Sequence, residues 1–182
     1  MKTFLFIAIT SLTVLNTVHA QNFITKNGKI SFFSKTSMEN IDAVNNQAVS
    51  VLNSKNGDLA FSVLAHGFLF KKALMQEHFN EDYMESDKYP KATFKGNIAD
   101  ISKVIFSKDG TYNISVSGNL TIHGVTNKIT VPGTISIKAG KVSASAVFKI
   151  LVADYKISIP KMVESNISKS IEVKVDCNYE PK

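Results

Sequence analysis

From Tyr112 to His123 the chain alternates apolar and polar residues without a break. Tyr112, Ile114, Val116, Gly118, Leu120 and Ile122 stand against Asn113, Ser115, Ser117, Asn119, Thr121 and His123. Successive side chains of an extended strand point to opposite faces, so this pattern describes a strand with one buried face. At the usual rise it would run about 40 Å, roughly twice the ordinary strand length. A fold that accommodates it has to be elongated. The same alternation places His123 on the outward face.

The pattern recurs along the chain. Ile129, Val131, Gly133, Ile135 and Ile137 alternate with polar residues. After the turn Lys138–Lys141, so do Val142, Ala144, Ala146, Phe148 and Ile150. An Asn-Gly pair at Asn56 and Gly57 marks a hairpin between Ala48–Leu52 and Leu59–Leu64. With Ile30–Phe33, Thr93–Ile98 and Ile171–Cys177 the count is about eight strands. Short connections make neighbours antiparallel, which fits a sandwich or a closed up-and-down barrel. Gly96, Gly118, Gly133, Ala144 and Ala146 fall on the inward row. Small inward residues either make room for a ligand or let strands curve, and spacing alone leaves both readings open. On the first reading, a Gly118→Phe substitution would fill the lumen.

The period breaks at Phe70–Met84. There Leu74 and His78, and Met75, Phe79 and Tyr83, fall at i, i+4 spacing, which predicts a short amphipathic helix with these residues toward protein, before Tyr89-Pro90 forces the chain extended. His78 lies among Glu77, Glu81, Asp82, Glu85 and Asp87. A metal site wants converging His or Cys ligands, yet His66, His78 and His123 are far apart in sequence and no calcium-loop spacing occurs. No Gly-x-Ser-x-Gly elbow is present, and a pair of carboxylates in a polar segment needs a cleft to separate their pKa values. The expectation is a solvated polar face with His78 bonded to Asp82 or a loop carbonyl, no metal, no cofactor and no catalytic group.

The first twenty residues read as a cleaved export signal: Lys2, an apolar run from Phe4 to Leu15, and small residues at Val18 and Ala20. That run is too short to span a bilayer, which takes about twenty residues. The sequence reading is therefore a signal peptide over 1–20 and one domain over 21–182, secreted and, in a bacterium, periplasmic. Formal net charge is +6, but every basic residue is lysine and there is no arginine or tryptophan. Without the arginine fork or stacking platforms, nucleic acid is not an expected partner. The lone Cys177 continues the inward row of Ile171, Val173 and Val175 and reads as a core filler.

Two segments carry a family resemblance. "HFNEDYMESDKYPKATFKG" from His78 and "VSGNLTIHGVTNKITVPGTI" from Val116 resemble the signatures of the YceI-like family, with "DYKISIP" from Asp154 as a weaker third. Where many members carry Arg-Asp ahead of the histidine, this chain has Met75-Gln76. The resemblance implies an all-β, elongated, antiparallel, lipocalin-like barrel of about eight strands with a short helix near residues 70–84. It also implies a lumen for an isoprenoid, quinone-like or other long-chain lipid, and no enzyme activity. Joined to the inward row, it nominates Phe61, Val63, Phe94, Ile98, Tyr112, Ile114, Val116, Leu120, Ile122, Ile129, Val131 and Ile135 as wall residues. His78, Phe79 and Tyr83 are placed at the lumen mouth. Tyr112 is the titratable residue expected inside. Two other readings stay open: a filled barrel serving as a stress-response or interaction module, and a lipid-modifying enzyme using a luminal tyrosine or the His78 region. Monomer and homodimer are equally compatible with the sequence.

Overall fold

The computed structural model describes residues 22–182; the expected export signal and its cleavage point lie outside them. Nine strands form one antiparallel sheet: β1 (Asn22–Lys35), β2 (Asn40–Asn53), β3 (Asp58–Leu64), β4 (Leu69–Phe70), β5 (Lys91–Ile98), β6 (Gly110–Ile122), β7 (Val125–Lys138), β8 (Lys141–Leu151) and β9 (Ser170–Pro181). Each long strand pairs with its neighbours in sequence, and β1 pairs with both β2 and β9. The sheet is thereby closed, an up-and-down barrel of eight long strands with one two-residue addition. β4 joins β2 at Ala43 and Val44, above the stretch Val49–Leu52 where β3 pairs.

Turn chemistry explains why the hairpins form where they do. The β6–β7 connection has positive φ at His123 and Gly124, and β7–β8 has it at Ala139 and Gly140, the pattern of the two-residue turn that matches strand twist. The β7–β8 turn is tied down by Asp109, whose carboxylate accepts from the Ala139 amide at 2.9 Å. Any other residue at Gly124 would be strained, because φ is 71° and a Cβ there would lie 2.5 Å from the ring of Tyr89.

β1 extends well beyond Ile30–Phe33. Its alternation is broken by register shifts between Thr25 and Ile30, so period-two reading loses the strand at the bulge while the pairing continues through it. Gly28 sits at this irregularity, and a Cβ there would meet the Ala48 carbonyl and the Cys177 sulfur, each at 2.9 Å. Cys177 is buried against it, and burial pushes its thiol up to about 12. It packs as a small hydrophobe, as its place in the inward row predicts.

The barrel is unevenly filled. At the end bearing the β2–β3 and β7–β8 turns, Phe23, Leu52, Leu59, Ile98, Ile101, Val104, Ile135 and Ile137 form a dense core, with Phe23 and Phe106 stacked at 5.3 Å. Each such side chain contributes about 1.5–3 kcal/mol by leaving water. At the opposite end a second cluster of Ala43, Ala48, Val63 and Phe68, with Phe32, Phe70 and Phe79 against it, lies to one side and leaves the axis open.

Candidate functional site: a blind apolar lumen

Between the two clusters runs a cavity of about 530 Å³, within the range of pockets that enclose a small organic ligand. Inward residues of every long strand line it. Of the residues nominated from the sequence, Phe61, Val63, Phe94, Ile98, Ile114, Val116, Leu120, Ile122, Ile129, Val131 and Ile135 stand on its wall, and His78, Phe79 and Tyr83 border it at the helix end. Ile30, Phe148, Val173 and Val175 also line it, from strands whose alternation was visible but which were not nominated.

Tyr112 is the exception. Its hydroxyl donates to the carbonyls of Ile105 and Lys108, both at 3.3 Å, in the loop that follows β5. The side chain serves that loop and does not line the cavity. Besides Tyr83 at the helix end, the tyrosine that does is Tyr179, near the end of β9. It sits two residues past Cys177 on the same inward row, where the expected strand had stopped.

The glycines divide by function. Gly133, Ala144 and Ala146 line the cavity and give it width. Gly96 and Gly118 are paired across β5 and β6, and the ring of Phe94 lies over both: a Cβ on Gly118 would sit 2.6 Å from Phe94 Cζ. This is an aromatic side chain covering glycines in a sheet. Room at Gly118 is already occupied by Phe94, so the expectation that Gly118→Phe would plug the lumen is corrected: that substitution would collide with β5.

A helical segment closes one side of the open end. Helix α1 (Ala73–His78) runs into a wider turn of π type, Phe79–Tyr83. Phe79 anchors it in an aromatic group, with ring centroids 5.4 Å from Phe32, 5.7 Å from Phe68 and 5.0 Å from Phe70. At the Met75-Gln76 position, Met75 faces the cavity, while the Gln76 side-chain oxygen accepts from the Phe70 amide at 3.3 Å. Leu74 was expected to face protein. It is instead 62% exposed at the rim, because a segment one and a half turns long leaves its first turn over the opening.

The polar residues of this region are mostly paired with one another. His78 Nδ1 lies 2.7 Å from Asp82 and His66 Nε2 lies 3.1 Å from Asp87. At the mouth, Lys72 Nζ donates to Glu39 at 3.1 Å, and the Asn166 amide donates to the other Glu39 oxygen at 3.4 Å. Hydrogen bonds from Lys72 and Asn166 hold the Glu39 carboxyl below its usual range.

His123 does not face out as alternation predicts. At φ 50° in its turn the ring folds back, with Nε2 2.7 Å from Glu85 and Nδ1 3.2 Å from the carbonyl of Tyr155. The hydrogen bond from His123 keeps the Glu85 carboxyl below its ordinary value. Residues from the helical segment, the β6–β7 turn and the loop after β8 are thus pinned together. Among the described residues no three His, Cys, Asp or Glu side chains are arranged to hold a metal.

The match to the YceI-like domain family spans residues 9–179. The chain belongs to the YceI-like family. Its fold is similar to that of a polyisoprenoid-binding domain from Saccharophagus degradans implicated in plant cell wall breakdown. The TM-score there is 0.77 at 14% identity, covering 90% of this chain and 99% of that one. Burkholderia cenocepacia BcnA superposes with a TM-score of 0.69 at 19% identity over 84% of this chain and 96% of its own. The Campylobacter jejuni YceI protein gives 0.55 at 18% identity, over 99% and 93%. No curated protein sequence matches. At these identities the structural likenesses establish the barrel alone, and no described helix is long and apolar enough to cross a membrane.

Proposed function

We propose that this YceI-like protein is an exported carrier or store that sequesters one long apolar chain, of isoprenoid or quinone-like type, inside its barrel. The observation that carries the reading is the continuous apolar lumen, which reaches from a densely packed floor to a rim at the helical segment. The polyisoprenoid-binding character of the Saccharophagus degradans neighbour supports the same ligand class. Export after cleavage near Ala20, to the periplasm of a bacterium, is part of the proposal and rests on the amino-terminal pattern.

Burial of hydrocarbon supplies the affinity, at about 0.8 kcal/mol for each methylene removed from water. Chain length then dominates over head group until the lumen is full. Binding, rather than turnover, is the role this wall suits, since it is built from aliphatic and aromatic side chains. The decisive test is native mass spectrometry of the protein purified from its own host, followed by organic extraction and identification of the lipid. A copurifying long-chain lipid at one per chain is the expected result. A protein that carries none, and takes up none when offered isoprenoids of graded length, would overturn the reading.

A further inference from the structure

The floor of the lumen holds a pair of hydroxyls that do not satisfy each other. Ser50 Oγ and Tyr179 OH lie 2.7 Å apart, with Ser50 1% and Tyr179 5% exposed, and Tyr179 lines the cavity. Two hydroxyls bring two protons, and one hydrogen bond between them uses one proton. Among the described residues neither oxygen makes another hydrogen bond. One buried O–H is therefore left without an acceptor, which is costly in an apolar setting. Burial holds the Tyr179 phenol far above its usual range, so it remains a neutral donor.

A trapped water is a poor solution. An ordered buried water makes about three hydrogen bonds, and among the described residues the one other buried hydroxyl registered beside this pair, Thr25 opposite Ser50, already accepts from the Asn27 amide. The mouth differs. There Glu39 is already matched by Lys72 and Asn166, and the exposed apolar side chains close to these residues in sequence are Met38, Leu74 and Met162. The deep end is short of an acceptor oxygen, while the rim has its charges paired and apolar side chains to spare.

We infer that the Ser50–Tyr179 pair is a polar subsite for a ligand acceptor oxygen, such as the carbonyl of a quinone, ketone or ester. The ligand enters oxygen end first and its hydrocarbon runs toward Leu74 and the rim. This rests on the lumen reading above and adds an orientation and a chemical requirement to it.

The test uses the delipidated full-length protein with two probes, the seventeen-carbon methyl ketone heptadecanone, carbon-13 labelled at its carbonyl, and n-heptadecane. Infrared spectra of the wild-type complex should show the labelled carbonyl stretch displaced to lower wavenumber by a hydrogen bond. In the Ser50→Ala/Tyr179→Phe double variant that displacement should vanish, and the ketone-to-alkane affinity ratio should fall by about three- to ten-fold, the worth of one hydrogen bond. Removing both hydroxyls together leaves no orphan, so the variant is expected to fold; if it does not, the wild-type spectrum decides alone. A carbonyl at its unbonded frequency in wild type, or an unchanged ratio in the double variant, overturns the subsite and leaves the lumen reading standing. A displacement lost in Lys72→Met instead puts the oxygen at the mouth and also overturns it. Failure of both probes to bind sinks the lumen reading and the subsite together.

Discussion

Introducing one methyl group at Gly118 is expected to unsettle the barrel more than a large change in the lumen. A Cβ built there lies 2.5 Å from Gly96 Cα, 2.5 Å from the Lys95 carbonyl oxygen and 2.6 Å from Phe94 Cζ. Two of those three neighbours are backbone of β5, which cannot rotate away as a side chain can. Overpacking usually costs about 1–3 kcal/mol, and backbone obstruction puts Gly118→Ala near the upper figure, about 3 kcal/mol. For a domain of this size each kcal/mol moves Tm by about 2–4 °C, so the expected fall is about 6–12 °C. Urea unfolding followed by circular dichroism measures the free energy, and a thermal melt measures the shift. Phe94→Leu in the same chain relieves the ring contact and leaves the two backbone contacts, so rescue should be partial. Gly133→Ala is the control. Its nearest neighbours would be the Ser145 carbonyl at 3.0 Å and Ile114 Cγ1 at 3.5 Å, and the loss there should stay within about 1 kcal/mol. A Gly118→Ala protein within about 0.5 kcal/mol of wild type would refute the assignment of this glycine pair to close strand approach.

Other consequences are as direct. Ala146→Phe places a ring in the lumen and should cut uptake of the longest isoprenoids at least ten-fold in a dye-displacement assay while the fold, read by its melt, is kept. Phe79→Ala removes the anchor of the helical segment, and at a half-buried site should cost about 2 kcal/mol, below the usual range for a fully buried ring; faster amide exchange in Ala73–Tyr83 would report it. Hydrogen bonds from Lys72 and Asn166 hold the Glu39 carboxyl below its usual range. A lowered folded pKa means the tie is present above the ordinary value and lost as pH falls through the lowered one. Ligand release should therefore quicken as pH falls below the ordinary carboxylate range, and Glu39→Gln should flatten that dependence. His123→Ala unpins three segments at once, and limited proteolysis should then cut in Lys156–Lys169 at enzyme levels that spare the wild type.

Because a long strand with one wet face writes its orientation into every second residue, period-two alternation was enough to find the long strands and much of the inner wall, while it left sandwich and barrel both open. It failed where another force set the local geometry. Tyr112 obeys the alternation but sits so near the barrel end that its hydroxyl reaches two loop carbonyls. Gly118 obeys it too, yet its space belongs to a ring two residues away on the next strand, and no single strand's pattern records a neighbour's rotamer. His123 stands at a turn, where positive φ cancels the in–out rule. Tyr179 was legible in principle, since its row continues unbroken from Cys177. Only the polar residues Asp176 and Asn178 on either side of Cys177 made the strand look finished.

The seam of the barrel has a consequence for how the molecule comes into being. Phe23 is registered against Pro181 and Phe33 against Glu172, so the first strand is held by the last along both its halves. Until β9 is available, β1 and β8 are open edges of long hydrogen-bonding strands, the surfaces most prone to join another copy. Contacts this distant in sequence are also slow to form. Closure therefore waits on the carboxy-terminal strand, and the nascent barrel stays an open ribbon with its greasy face bare for most of synthesis. A chain shortened before Ser170 should aggregate rather than persist as a smaller barrel, and the interval before closure is when a holding chaperone has something to hold.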